Sequence, residues 1–523
     1  MHKAIYFLFI GFVLSLTSCR KDFDTVPSTG NLEFSKQTVY LDTIFSDIGS
    51  STYMLKVYNR SNKDISIPSV SLAKADSKYR IMVDGMTGVD ADNNGQGDGK
   101  LFTNVELLAK DSLFVFIETT VNIAQANPTD FLYTDEILFQ SVNGTQKVNL
   151  VTLIQDAVFL YPEKYADGTK ESLLLGLDEE GNQVRVTGFE LNESDPIHGN
   201  EFIFTNDKPY VIYGFAGIPS GKTLSIEAGA RVHFHANSGI VVQNGGTLNV
   251  SGNISPDFSN PLENEVVFEG DRLEPGFSEI PGQWFGIWMQ QGSNSNIDHL
   301  TLKNATLGFF ADQASLTIQN SQVYNNSNFG ILGRNANITG KNVVVNLAGE
   351  ACLASIAGGS YDFRHCTFNN NWGTPGQVSV QMSNFEKDQQ GNIVALADLQ
   401  QANFYNSIIF GSNNIELYLD KNDTKAFNID FKNCLVKFRD AGTGIEDDPL
   451  YDFLRTPSAA ANQNIINENP QFQSANSNKL AIAPDSPAAG KGSSLYIIPQ
   501  DILGTTRSSP PDLGAYQSAP FPN

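Results

Sequence analysis

The tract "DADNNGQGDG" sets Asp90, Asp92, Asn94 and Asp98 around Gly95, an alternation of oxygen donors that suits a calcium loop. The twelfth position of that loop is Leu101 where a bidentate glutamate would be needed. A solvated loop insertion is therefore the favoured reading, with calcium as the alternative use. In "RVHFH", His233 and His235 share one face of a strand, adequate geometry for a metal, but no third ligand lies beside them in sequence. "AGIPSGKT" (216–223) has the loose spacing of a phosphate loop, a chemistry that needs a strand before it and a helix N-terminus after it. Here "TLSIEAG" follows and reads as a strand, so the match is coincidental. Cys352, Cys366 and Cys434 lack close metal-ligand spacing and read as buried thiols.

The elements that would position these groups are strands. An eight-residue pattern recurs as "LTLKNATL" from Leu300, "LTIQNSQV" from Leu316, "ITGKNVVV" from Ile338, "YDFRHCTF" from Tyr361, "ANFYNSII" from Ala402 and "IDFKNCLV" from Ile429. The starts lie 16, 22, 23, 41 and 27 residues apart, so most gaps hold one coil and the longest holds two coils or one large loop. Positions one, three and eight are mostly apolar and face inward; positions two and four are mostly polar and face outward. Position five reads Asn304, Asn320, Asn342, His365, Asn406 and Asn433. Asparagine tolerates the left-handed backbone of a corner, and at the roughly 4.8 Å spacing of stacked strands one amide can bond the next. These residues are expected to form one buried structural ladder. Cys366 and Cys434 occupy one motif position at least two rungs apart, beyond the roughly 7 Å reach of a disulfide. The outward side chains Lys303, Lys341, Asp362, Arg364, Tyr405 and Lys432 form a candidate glycan face, against the simpler role of charges that solubilise a flat sheet and discourage edge pairing.

This repeat resembles the right-handed parallel β-helix of pectin-lyase-like proteins, whose interior asparagine ladders occupy such a turn. "KTLSIEAGARVHFH", "VVFEGDRLE", "PGQWFGIWM" and "NPQFQ…SPAAGKG…DILGTTRSSPPDLGAYQ" look like segments of β-helix surface lipoproteins of Bacteroidota. Asp501, Gly504, Arg507, Asp512 and Gly514 resemble the C-terminal signature of exported β-helix proteins and are read as a final coil and cap. At the other end, "MHKAIYFLFIGFVLSLTSC" has a basic start and an apolar run too short to span a bilayer. Its "LTSC" resembles the lipobox of bacterial lipoproteins, which implies lipidation at Cys19. The "RKDFD" that follows resembles the signal sending such lipoproteins to the outer surface of the outer membrane.

The expected organisation is an all-β chain with a signal peptide (1–18), a lipidated tether (19–31), an immunoglobulin-like β-sandwich (32–157) and a connector with N-terminal cap (158–221). A right-handed parallel β-helix (222–469) and a final coil with cap (470–523) complete it. A formal charge of −23 over 523 residues repels phosphate backbones, so nucleic acid is an unsuitable partner. The expected partners are a membrane, through the lipid anchor, and a polysaccharide or another surface protein; no cofactor beyond calcium is implied. The expected function is non-enzymatic binding or structure, glycan binding included. The alternative is a polysaccharide lyase or glycoside hydrolase. "NIDH" (296–299) resembles an Asp-His segment of pectate lyases. Asp298, His299, Asp362, Arg364 and His365 are the residues from which acid–base chemistry would be built, but the clustered carboxylates it requires do not assemble in sequence. Replacing Cys19 with Ala is expected to move the protein from the membrane fraction to the soluble fraction on cell fractionation.

Overall fold

The computed structural model describes residues 24–126, 131–177, 181–256, 262–439, 442, 444–455 and 458–521. Cys19 and the expected signal peptide (1–18) lie outside the described residues. The chain is all-β and divides into two compact units, with the boundary between Asp156 and Ala157.

In the first unit, alternating sequence gives alternating burial. Tyr79–Val83 buries Tyr79, Ile81 and Val83 while Arg80 and Met82 face out. One sheet pairs Glu33–Phe34, Tyr53–Tyr58, Ser112–Thr119 and Tyr79–Val83 in that order. The other is ordered Val26–Pro27, Ile65–Leu72, Leu132–Ser141, Gly144–Gln155 and Thr38–Phe45, with Leu101–Leu107 also on Ile65–Leu72. Buried residues of both sheets, among them Val57, Val115, Ile67 and Phe139, form one hydrophobic core. In Leu101–Leu107 and Leu132–Ser141 polar residues interrupt the apolar pattern. Asn104 takes a positive φ of 53° within the first, and Asp135 is buried in the second, where its carboxylate accepts the backbone N–H of Lys74 at 3.1 Å.

In the second unit, successive coils add parallel strands to three stacks. The first stack contains Thr223–Glu227, Thr247–Ser251, Asn294–Asp298, Ser315–Gln319, the ends of Phe329–Lys341 and Ala351–Arg364, then Leu399–Tyr405 and Phe427–Lys432. The second runs from Val158–Leu160 to Ile465–Ile466 and comprises 11 strands among the described residues. The third includes Phe215–Ile218, Gly239–Val242, Trp284–Met289, Ala305–Asp312, Val378–Ser383 and Leu417–Asp420. Stacking therefore begins at Val158, ahead of the expected start at 222, because Val158–Leu160 already pairs in parallel with Tyr210–Ile212. The 41-residue gap holds one coil and a large loop, a hairpin of Phe385–Lys387 and Ile393–Leu396. Inside the stacks, side chains of like shape align: the rings of Phe404 and Phe431 lie 4.6 Å apart at 5°.

The expected ladder is corrected in three respects. Asn320, Asn342, His365, Asn406 and Asn433 do share the corner after the first stack, all with φ between 47° and 53°. Asn304 belongs to a different corner, after the second stack, where Asn325 Nδ2 donates to Asn304 Oδ1 at 2.7 Å. The repeat starting at Leu300 sits one strand out of phase with the others, because both corners demand the same left-handed residue. Asn320 is half-buried where full burial was expected. Finally, the ladder is interrupted. Asn342 Nδ2 donates to Asn320 Oδ1 at 3.0 Å, and Asn406 Nδ2 to His365 Nε2 at 3.0 Å, but Arg507 Nη2 takes up Asn342 Oδ1 at 2.8 Å and Ser493 bonds both ends of the Asn406 amide.

Arg507 and Ser493 belong to the segment expected as a final coil. Residues 470–521 run along the outside of the second stack, because that face carries apolar side chains that need cover. Leu480 and Ile502 pack with Val344, and Ile482 and Leu513 with Ile408 and Leu435. The last coil is closed instead by Pro449–Leu454, whose Phe453 stacks on Phe431 at 4.9 Å and whose Tyr451 hydroxyl accepts the Leu419 N–H at 2.8 Å. Asn342→Ala is expected to cost about 2–3 kcal/mol, because it strips one acceptor from the buried Arg507 and the Asn320 Oδ1 of its donor. Thermal unfolding checks it, with the half-buried Asn320→Ala expected to cost less.

Candidate functional site

Most of the candidate glycan face is a column of the first stack in which Arg364 and Lys432 are paired with acidic neighbours. Lys341, Arg364, Tyr405 and Lys432 follow one another in register, with Asp362 beside Asn403 and Asp430 two residues earlier on the same strands. Arg364 Nε lies 2.9 Å from Asp362 Oδ1, and Lys432 Nζ 2.7 Å from Asp430 Oδ2. Tyr405 gives its hydroxyl to Asp430 at 2.9 Å and lies under Tyr496 of the C-terminal segment, ring centroids 4.0 Å apart. Lys303 stands apart on the second stack, 3.1 Å from Glu269, and its ammonium donates to Ser278 O.

The residues considered for acid–base chemistry are likewise held by structural partners. Asp298 Oδ1 meets His299 Nδ1 at 2.6 Å and also takes the Asn320 amide at 3.0 Å. His365 is fully buried, and burial with the neighbouring Arg507 cation pushes its pKa down to about 3. His233 and His235 do not act together. His233 is buried and its pKa lowered by desolvation, whereas Asp271, 2.7 Å from His235 Nδ1, raises that of the half-exposed His235. "AGIPSGKT" spans the turn between two strands, as expected. The three cysteines are free and buried, and burial pushes the Cys366 and Cys434 thiols up to about 12.

The carboxylates of Asp90, Asp92 and Asp98 converge within 4.8 Å. Their oxygens already serve the loop: Asp90 accepts the Gly95 and Asn94 N–H groups at 2.8 and 3.1 Å, and Asp98 that of Ala91 at 2.9 Å. Asn94 turns its amide nitrogen to Asp92 at 2.9 Å, so its side chain is engaged within the loop.

A concavity suited to a ligand lies on the third stack, which the repeat motif does not reach. It is a groove of about 970 Å³ near the end of the stack. Gln381 and Tyr418 are register neighbours on adjacent coils and form its floor; Asn414, Ile415, Arg439 and Asp448 stand around it. Tyr418 is 38% exposed, enough ring to stack on a flat apolar face. Arg439 is exposed, and its backbone N–H is tied to Asn414 O at 2.7 Å.

Behind this groove Glu416 is completely buried. Its Oε1 accepts the Asn413 N–H at 2.7 Å and Oε2 lies 3.0 Å from Ser379 Oγ. Gly411 makes the space, since a Cβ there would meet Glu416 Oε1 at 2.2 Å. Burial raises the Glu416 pKa to about 7, against the hydrogen bonds and Lys437, which lower it. Sequence could not single out Tyr418 or Glu416, because alternation in "IELYLD" marks a strand but not what stands opposite it.

No family model matches the chain, and no curated protein matches it. Solved structures overlap it loosely. A family 123 glycoside hydrolase from Clostridium perfringens is 8% identical over 25% of this chain, TM-score 0.17. The major pilin subunit BcpA of Bacillus cereus is 14% identical over 32%, TM-score 0.15. The catalytic domain of a GH87 α-1,3-glucanase in complex with nigerose is 11% identical over 75%, TM-score 0.19. The chain spans 30% of the first of these structures, 53% of the second and 81% of the third. Overlaps this loose carry no weight for function.

Glu416 yields a pH dependence. Its pKa rises on folding from 4.5 to about 7, so its contribution is complete below 4.5 and lost as pH rises towards 7, about 3 kcal/mol in all. His365 works oppositely: its lowered pKa gives stability present above 6.5 that is lost as pH falls towards 3. Denaturant unfolding of Glu416→Gln is expected to lose the decline between pH 4.5 and 7 and to keep the acid-side decline.

Proposed function

We propose that this protein is a lipid-anchored, non-enzymatic binding protein of the outer membrane surface, and that the Gln381–Tyr418 groove holds a segment of a saccharide chain. In the same proposal the three parallel stacks are a right-handed parallel β-helix and the first unit is an immunoglobulin-like sandwich. Parallel pairing from coil to coil supports the helix, and the preference of parallel crossovers supports its hand. The lipobox-like "LTSC" supports the anchor. Among the described residues no helix is long and apolar enough to cross a membrane.

The observation that carries the binding role is the groove itself. A sugar ring offers one apolar face and a rim of hydroxyls. The exposed Tyr418 ring suits the face, and the Gln381 and Asn414 amides, with Arg439 and Asp448, suit the rim. The self-paired column around Arg364 and Lys432 instead acts as a solvated sheet face. Screening the purified chain against immobilised glycans and then titrating the best ligand is expected to give saturable binding. Tyr418→Ala should weaken it about tenfold or more and Lys432→Ala leave it unchanged. Release of new reducing ends from the bound glycan would replace this proposal with hydrolysis.

A further inference from the structure

We propose that Asp195, His198 and Glu201 form a binding site for a divalent transition-metal ion of the zinc class. The three residues lie in "NESDPIHGNE", between the strands Gln183–Glu190 and Ile203–Phe204, in a loop anchored at both ends by buried Leu191 and Phe202. Paired backbone bonds between Asp195 and Gly199, at 2.8 and 2.9 Å, close the turn, and Glu201 N–H returns to Asn192 O at 2.9 Å.

The donor atoms meet at one point. His198 Nδ1 lies 3.3 Å from Asp195 Oδ1 and 3.1 Å from Glu201 Oε1, and all three donors fall within 4.8 Å of one another. Ligands held about 2.0–2.2 Å from a tetrahedral ion stand about 3.3–3.6 Å apart, so the His198 contacts sit near the edge length of such a site. An imidazole nitrogen carries at most one proton and can bond one of these two oxygens, whereas a cation can bind both at once.

Charge makes a separate case. Glu201 is 7% exposed, and its ion-pair partner among the described residues is His198. The nearby Lys222 is taken by Glu193 at 2.6 Å. A neutral His198 leaves two carboxylates, one of them buried, without a counter-charge, and an imidazolium cancels one of them. A divalent ion cancels both.

Both carboxylates are held in place by backbone donors: Glu201 Oε2, the oxygen turned from His198, accepts the Asn192 N–H at 2.8 Å, and Asp195 Oδ1 accepts the Ile197 and His198 N–H groups at 2.8 Å each. One nitrogen with two carboxylates suits zinc and its neighbours, whereas calcium takes oxygen alone.

The test is calorimetric titration of Zn²⁺ into the full chain, purified in detergent and stripped with EDTA. One equivalent is expected to bind, at least 100-fold more weakly in His198→Ala and in Glu201→Gln, unaffected by His235→Ala or millimolar Ca²⁺, and with a rise in Tm confined to the unaltered site. Circular dichroism of the metal-free variants confirms that they fold. Absence of saturable zinc binding, or binding that survives both substitutions in folded protein, would overturn the proposal and leave His198 as the counter-ion of Glu201.

Discussion

The later coils of the second unit depend on one backbone constraint: from Asn294–Asp298 onward, the chain bends through a left-handed residue at the end of each strand of the first stack. His299, Asn320, Asn342, His365, Asn406 and Asn433 all meet it with φ near 50°. The bend keeps each coil in register, since the N–H of each of these residues reaches the carbonyl before the corner one coil on, as Asn320 N–H does to Lys341 O at 3.0 Å. It also leaves a polar side chain at a crowded corner, where an unmade hydrogen bond is costly.

How those side chains are satisfied explains the path of the C-terminal segment. A pure amide ladder would need asparagine on every coil, and His365 breaks the series. Arg507 enters at that point. Burial pushes its pKa down to about 10, and its Nη2 bonds Asn342 and the carbonyls of Gly514 and Ala515. Asp501 and Asp512 lie close enough to oppose that shift, and their carboxylates accept the backbone N–H groups that hold the segment's turns. The segment thus satisfies the corner while covering Val344, Ile408 and Leu435. Its residues serve the fold, which accounts for a motif rich in charge.

On the third stack, Leu173 covers the outward Phe215 and Val241 of early coils, but near its end Gln381 and Tyr418 remain open on a groove whose wall is held by the buried Glu416. The proposed saccharide site and the proposed metal site at His198 both lie away from the asparagine column, the first on another stack and the second in an early loop.

Composition and period-two alternation determined the all-β class and the inward and outward sides of each repeat, because these depend on neighbours two residues away. Asparagine at position five likewise determined that a corner existed, since few residues accept a left-handed backbone. Which corner was a matter of tertiary structure. Asn304 and Asn320 carry the same local signal and stand on different columns, and only the pairing of strands 21 residues apart separates Thr301, opposite Gln322, from the first stack. The same holds for charge. Arg364 and Lys432 read as a basic face until Asp362 and Asp430 are seen beside them, and Arg507 reads as a cap residue until the fold sets it against Asn342, 165 residues earlier. Spacing along a strand is local and visible in sequence; neighbours across stacks depend on the length of every intervening loop, and no local pattern records that sum.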